Sequence, residues 1–353
     1  MCKPSRIHQF LRELPKCEHH LHIEGSLSPT LLFRLAKANN ISLPDPASDP
    51  SFASPESLST RYENFTSLND FLHYYFIGMS VLLTPSDFES LAYEYFARAH
   101  ADGVQHAEIS FDPQGHTSRG IAYNTVVSGL TAAQERARKD FGLTSKIILC
   151  FLRHLPVPDA LATYQEAEAL GHFSDGTLAG IGMDSSEVGF PPEMFRDVYV
   201  SAKKAGVRRT AHAGEEGDVS YIRRALDQCE VERIDHGIRL VDDEALTKRV
   251  ARDKTLVTMC PLSNVRLRCV SKVTDLPVRK FLDEGVRFSI NSDDPAYFGA
   301  YILDNYCAVQ EAFGLSLKEW KHIADSAIEG SWCDEERKKV LLQRVQDCIT
   351  KHE

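Results

Sequence analysis

No C-x-x-C pair occurs anywhere in this 353-residue sequence, and its nine cysteines, an odd number, fall at irregular intervals. A disulfide framework is therefore not expected, and the thiols point to a reducing compartment. Long hydrophobic runs are also missing. The longest strongly apolar stretch, 147–152, is far too short to cross a bilayer, and residues 1–9 lack the apolar segment of a secretory signal. Basic residues are in deficit, with 40 Lys and Arg against 50 Asp and Glu and a formal net charge of -10. An acidic chain repels polyanions and anionic lipid, so no nucleic-acid or membrane partner is expected. A small-molecule partner in the cytoplasm, with the nucleus as a second location, fits better. There is no internal repeat and no low-complexity tract. What is present is the balance of an ordinary globular protein, 43% hydrophobic and 25% charged.

Short strand-like runs alternate with longer helical stretches, a pattern that implies parallel strands joined by crossover helices. Eight runs stand out, at 16–22, 104–111, 145–152, 178–184, 208–212, 233–236, 255–260 and 287–291. Helical patterns fill the gaps between the later ones, at 192–204, 220–229, 243–252 and 276–284. The count predicts an α/β fold, a (β/α)8 TIM-type barrel. Length alone would also allow two average domains, but barrels of this size form one, so a single domain over 1–353 is expected. The first crossover is the longest. It holds helical stretches at 29–39, 68–79 and 86–101 around a Pro/Ser-rich segment at 43–60. It reads as a helical insertion after the first strand, because nothing before it is long enough to fold alone. The aromatic-rich segment 65–75 either lines a pocket or packs on the barrel. Helical segments at 302–313 and 334–351 follow the eighth run.

Catalytic side chains of such a barrel sit where strands end, and metal-binding residue types gather at the ends of four runs. The first ends His20-Leu21-His22. Residues two apart in a strand face the same side, so both imidazoles address one ion, while His19 and Leu21 turn away and His19 reads as structural. The fifth run leads into His212-Ala213-Gly214-Glu215, the sixth into Asp235-His236-Gly237, and the eighth into Ser292-Asp293-Asp294-Pro295. Each motif alone is weak. An H-x-H arises by chance, a strand-end histidine is often only hydrogen-bonded in place, and D-D-P also describes a turn with a helix cap. Joint placement on one barrel face makes chance a poor explanation, and three histidines with a carboxylate suit zinc. A two-metal centre bridged by a modified lysine would need a lysine near the end of the third or fourth run. None is there, and Lys146 lies at the start of the third. One ion with an open position lowers the pKa of a bound water towards neutrality, which is what a hydrolase requires.

These four motifs, together with Ile23-Glu24-Gly25, resemble the adenosine/adenine deaminase family in order and spacing across nearly the whole chain. The resemblance implies one zinc ion per chain held by His20, His22, His212 and Asp293, with Glu215 and His236 catalytic and Asp294 binding substrate at purine N7. It also implies attack of an activated water on C6 while Glu215 protonates N1, with His236 orienting or deprotonating the water. Protonating N1 draws electron density from C6, and a carboxyl buried near apolar walls keeps its proton near pH 7. Where nucleoside-specific members carry A-G-D-E after the fourth run, this chain reads Met183-Asp184-Ser185-Ser186-Glu187-Val188-Gly189, and Glu24 stands where a shorter Asp contacts ribose. Those departures resemble the adenine deaminases, as does the segment 110–120. The segments 281–283 and 293–299 resemble the fungal type. The implied reaction is adenine to hypoxanthine and ammonia, in purine salvage. Adenosine or an N6-substituted adenine is the alternative substrate, and a non-catalytic zinc-binding relative is the alternative class. Deaminases of nucleic acids couple H-x-E to P-C-x-x-C, and His22-Ile23-Glu24 meets only the first half. No role follows from sequence for Ser185, Ser186, Glu187, His116 or Arg119.

Overall fold

The computed structural model describes residues 6–353. The eight expected runs become eight strands: β1 (Lys16–Glu18), β2 (Val104–Phe111), β3 (Thr144–Leu152), β4 (Gly180–Asp184), β5 (Arg208–Ala213), β6 (Arg233–His236), β7 (Leu256–Met259) and β8 (Phe288–Ile290). They pair in chain order, every neighbour parallel, and helices fill each connection. The fold is the expected (β/α)8 barrel. Consecutive residues of β3, from Ile147 to Leu152, are all buried, as they must be when helices cover one face of a parallel sheet and the barrel interior the other.

The ring closes less regularly between β1 and β8. Regular strand geometry in β1 stops at Glu18, short of the run that the sequence pattern extends to His22. Beyond it the backbone serves two neighbours in turn. Leu21 bridges Asp293 and His22 bridges Ser110. The His22 N–H donates to the Asp293 carbonyl (3.1 Å), the Asp293 N–H to the His20 carbonyl (3.1 Å) and the Ser110 N–H to the Leu21 carbonyl (2.8 Å). Below them the His19 N–H donates to Asn291 Oδ1 at 2.8 Å. The histidine pair is thus aimed by isolated bridges across the seam.

Helix starts in the first crossover follow capping chemistry. Ser28, Ser54, Ser67 and Thr84 each accept a backbone N–H from the first turn, and Pro29, Pro55 and Pro85 open three of the helices. The Pro/Ser-rich segment is therefore partly ordered structure, with a 3-10 turn at Pro50–Ala53 and a helix at Pro55–Tyr62. Both readings of the aromatic segment hold, for different residues. On the helix Leu68–Met79, Tyr74 stacks with Phe52 (ring centroids 5.8 Å apart) and packs edge-on to Tyr62, whereas Phe71 and Tyr75 line a cavity. The helix expected at 192–204 begins as a 3-10 turn, Pro192–Phe195, before Arg196–Lys204. A further helix, Leu317–Gly330, lies between the two C-terminal segments expected from sequence. No helix among the described residues is long and apolar enough to cross a membrane.

The two ends of the barrel differ in kind. Inside it Arg233, the first residue of β6, pairs with Glu108 of β2 (Nη2–Oε2 2.5 Å), and both side chains are buried. Breaking such a pair leaves an uncompensated buried charge, a loss of about 3–5 kcal/mol, so this end serves stability. The histidines gather at the other end.

Candidate active site

The C-terminal ends of β1, β5, β6 and β8 bring the residues expected from sequence together. His20, His212, His236 and Asp293 offer ligand atoms that all lie within 4.8 Å of one another. His22 joins them, with Nε2 3.2 Å from His212 Nε2 and 3.4 Å from Asp293 Oδ1. The same carboxylate oxygen lies 3.2 Å from His20 Nε2. Donor atoms held at about 2.1 Å by one tetrahedral ion sit roughly 3.4 Å apart, so these separations fit a single small cation. His236 faces the other oxygen, Asp293 Oδ2, at 3.8 Å, and Glu215 Oε2 at 3.5 Å. It therefore stands beside the cluster around Oδ1. His20 Nε2 is buried with no hydrogen-bond partner in the protein, a costly state that a cation relieves.

Local backbone geometry aims these side chains. His236 (φ 61°), Asp293 (φ 66°) and, after β4, Ser185 (φ 71°) all occupy the left-handed region, at about 1–3 kcal/mol each for residues with a Cβ. Gly25 is needed for a different reason. A Cβ there would lie 1.9 Å from Asp294 Oδ1, so glycine is what lets that carboxylate approach.

The imidazoles are held from behind. Thr258 and Thr210 donate their hydroxyl protons to Asp235 at 2.8 and 2.6 Å. With its only proton committed, Thr258 Oγ1 accepts from His20 Nδ1 at 3.0 Å, which leaves the His20 Nε2 lone pair facing the cluster. Asp235 also faces His212 Nδ1 at 3.7 Å, and Asp184 faces His22 Nδ1 at 3.3 Å. The Asn264 side-chain amide meets His236 Nδ1 at 3.1 Å. His19 turns away as expected and is bonded to Ser289 Oγ (3.2 Å) and Ser331 Oγ (2.7 Å).

Glu187 organises the loop that carries Glu215. Its carboxylate accepts four consecutive backbone N–H groups, from Gly214 (2.7 Å), Glu215 (3.0 Å), Glu216 (3.0 Å) and Gly217 (2.8 Å). Buried Arg153 donates to the His212 carbonyl at 2.8 Å. Burial first, then Asp293 and Glu187, push the Glu215 carboxyl well above its ordinary range. Burial and Asp293 do the same to Asp294. Asp293 moves the other way, because His20, His236 and His22 outweigh the burial that opposes its charge. Burial and the surrounding imidazoles push His212 well down, and burial and His20 take His236 to about 3, whereas at His22 burial is outweighed by Asp184, Asp294 and Asp293, which push it well up. Neutral imidazole is the form that ligates a metal.

A cavity opens over the cluster. Leu68, Phe71, Leu72, Tyr75, Leu152 and Leu267 form its apolar walls, and His22, Asp112, Asp184, Ser185, His212, Glu215, His236, Asp293 and Asp294 its polar floor. A mostly apolar slot with convergent polar groups suits a small molecule. Sequence reasoning missed Asp184 and Asp112. Asp184 ends β4 and Asp112 follows β2, so the strand-end rule used for the other runs would have found both. The unassigned residues brace loops. His116 bridges Glu24 Oε1 and Arg119 at 2.8 Å each, Ser185 Oγ bonds His154 Nδ1 at 2.7 Å, and Ser186 Oγ reaches Asn69 Oδ1 at 3.2 Å.

Known proteins are similar to this chain over nearly its whole length. A relative in Aspergillus fumigatus named adenine deaminase is 60% identical over 352 residues, covering 100% of this chain and 99% of its own. The crystal structure of adenine deaminase from Arthrobacter aurescens superposes with a TM-score of 0.90 at 44% identity, covering 96% of this chain and 99% of that one. An amidohydrolase from Burkholderia ambifaria, solved with bound Zn, gives a TM-score of 0.87 at 27% identity over 99% of this chain and 96% of its own. The adenosine deaminase family model matches residues 15–348. With so little of the chain outside that match, the protein belongs to the adenosine deaminase family.

Proposed function

We propose that this chain, acting as one domain over 1–353, hydrolyses free adenine to hypoxanthine and ammonia, a reaction of purine salvage. In this reading one zinc ion is held by His20, His22, His212 and Asp293, Glu215 and His236 are catalytic, and Asp294 binds the purine at N7. The carrying observation is the convergence of three Nε2 atoms on Asp293 Oδ1 and its neighbours, beside the buried Glu215 carboxyl, whose pKa burial and Asp293 raise. Zinc bound there supplies a water acidic enough to serve as nucleophile near neutral pH.

The chain's own side chains account for the rest. Glu215 donates its proton to N1, which empties electron density from C6 and opens it to attack. His236, neutral and 3.5 Å from Glu215 Oε2, is placed to orient the attacking water. Asp294 fixes the ring at N7, and loss of ammonia restores aromaticity. The leucine and phenylalanine walls keep bulk water out, which strengthens each of these polar contacts. The names of the Aspergillus and Arthrobacter relatives support adenine as the substrate, and the Burkholderia structure supports zinc. The acidic charge and scattered thiols favour the cytoplasm, with the nucleus as a second location.

The test follows the ultraviolet spectrum of purified protein with adenine and, in parallel, adenosine, before and after removal of metal. Metal-dependent conversion of adenine with adenosine nearly untouched is expected. Faster conversion of adenosine would overturn the substrate, and no conversion of either would overturn the function.

A further inference from the structure

The geometry points to Asp112 as the residue that selects a free base: we propose that its carboxylate accepts the ring N–H that adenine carries at N9 and that every N9-substituted purine lacks. The inference rests on the adenine reading above and adds the residue that separates base from nucleoside.

Asp112 follows directly on β2 and is 2% exposed, yet it lines the cavity. One of its oxygens, Oδ2, accepts the Tyr75 hydroxyl at 3.0 Å, and the other, Oδ1, has no partner in the protein. An unsatisfied buried carboxylate oxygen costs free energy until a donor arrives. The nearby donors are already committed. His116 and the Asp112 N–H both go to Glu24 Oε1, at 2.8 and 3.2 Å, which draws Glu24 out of the cavity lining.

The chemistry of adenine selects the donor. With Glu215 at N1 and Asp294 at N7, the unassigned ring atoms are N3, which only accepts, and N9, which donates in the free base. An acceptor carboxylate matches N9–H alone. A substituent on N9 removes that proton and must also displace the Tyr75–Asp112 pair, whose tyrosine is 3% exposed and packed against Phe71. A site built to bond a ligand N–H rejects analogues lacking it far more strongly than an apolar pocket rejects an added methyl, because its buried acceptor is then left unpaired.

The test compares steady-state kinetics on adenine and 9-methyladenine for the parent protein, Asp112→Ala and Tyr75→Phe, with zinc content and far-ultraviolet circular dichroism checked for each. The parent should favour adenine by about 1,000-fold in kcat/KM. Asp112→Ala should lose about 100-fold on adenine, mostly through KM, and little on 9-methyladenine, so that the preference narrows to about 10-fold. Tyr75→Phe, which keeps the carboxylate but frees it to turn, should show the same change in weaker form. Equal losses on both purines in both variants would make Asp112 structural and overturn the proposal alone. A parent inactive on both purines would overturn the adenine reading and this inference with it.

Discussion

Glu215 is tested through its proton. Its carboxyl is buried and crowded by Asp293 and Glu187, which together hold its pKa well above the ordinary carboxylate range. Glu215→Gln preserves the shape but has no proton to transfer. Because general acid catalysis contributes roughly 10²–10⁴-fold, kcat on adenine should fall by about 1,000-fold or more while zinc content by elemental analysis stays at the parent level. Substantial residual turnover would remove Glu215 from the proposed chemistry. Adjacent histidines give a second contrast at this scale. His20 points Nε2 at Asp293 Oδ1, whereas His19 spends both ring nitrogens on Ser289 and Ser331. His20→Asn should therefore lose bound metal. His19→Asn should keep it and cost stability instead, by about 1–3 kcal/mol for the two buried hydrogen bonds lost, read from urea unfolding. Metal loss in both variants would mean that the local backbone, and not the ring at position 20, holds the ion.

Between elements, Glu187 links the end of β4 to the loop after β5, and its four N–H bonds set where Glu215 stands. Glu187→Gln turns one acceptor oxygen into an amide that faces an N–H. The loop 214–217 should exchange its amide hydrogens faster, kcat should fall about 10- to 100-fold, and zinc should remain. Unchanged exchange together with unchanged kcat would show the loop to be held by other means. The same pair of elements marks where sequence reading stops. The third strand was legible because residues 147–152 are buried on both faces and read as an unbroken apolar run, and the others because short runs alternate with helical stretches. The motifs at positions 20–22, 212–215, 235–237 and 292–295 were legible because a barrel puts every strand end on one face. Glu187 was visible only as a residue without a role, since its partners lie 27–30 positions away and are backbone groups, which carry no sequence signature. Asp235 appeared in a motif beside His236, but its part in seating His20 depends on Thr258, which only folding brings near. The end of β1 was misjudged by several residues because a period-2 pattern does not reveal that the chain stops pairing regularly and continues by single bridges.

For the whole molecule, that seam is where metal and fold meet. Seven of the eight strand junctions are parallel ladders, the first with a register shift between Lys16 and Cys17, while β1 and β8 meet through the Leu21–Asp293 bridge and a few hydrogen bonds around it. Two of the four proposed ligands, His20 and His22, lie on one side of the seam and a third, Asp293, on the other, so a bound ion would act as its clasp. A ligand that binds only the folded state stabilises it by mass action, about 2.7 kcal/mol at a free concentration 100 times its dissociation constant. Removing the metal should therefore lower the melting temperature, and adding zinc should restore it together with activity. The loss should also be local. Amide exchange should rise at 19–25 and 291–295, where the ligands hold the seam, and stay near parent rates in β2 to β4, whose ladders do not depend on the ion. Uniform loosening of all eight strands would mean that the ion supports the barrel as a whole. An unchanged exchange pattern would mean that the seam is closed by its backbone bonds alone, and that the histidine cluster is organised by Asp235, Asp184 and Thr258 before any metal arrives.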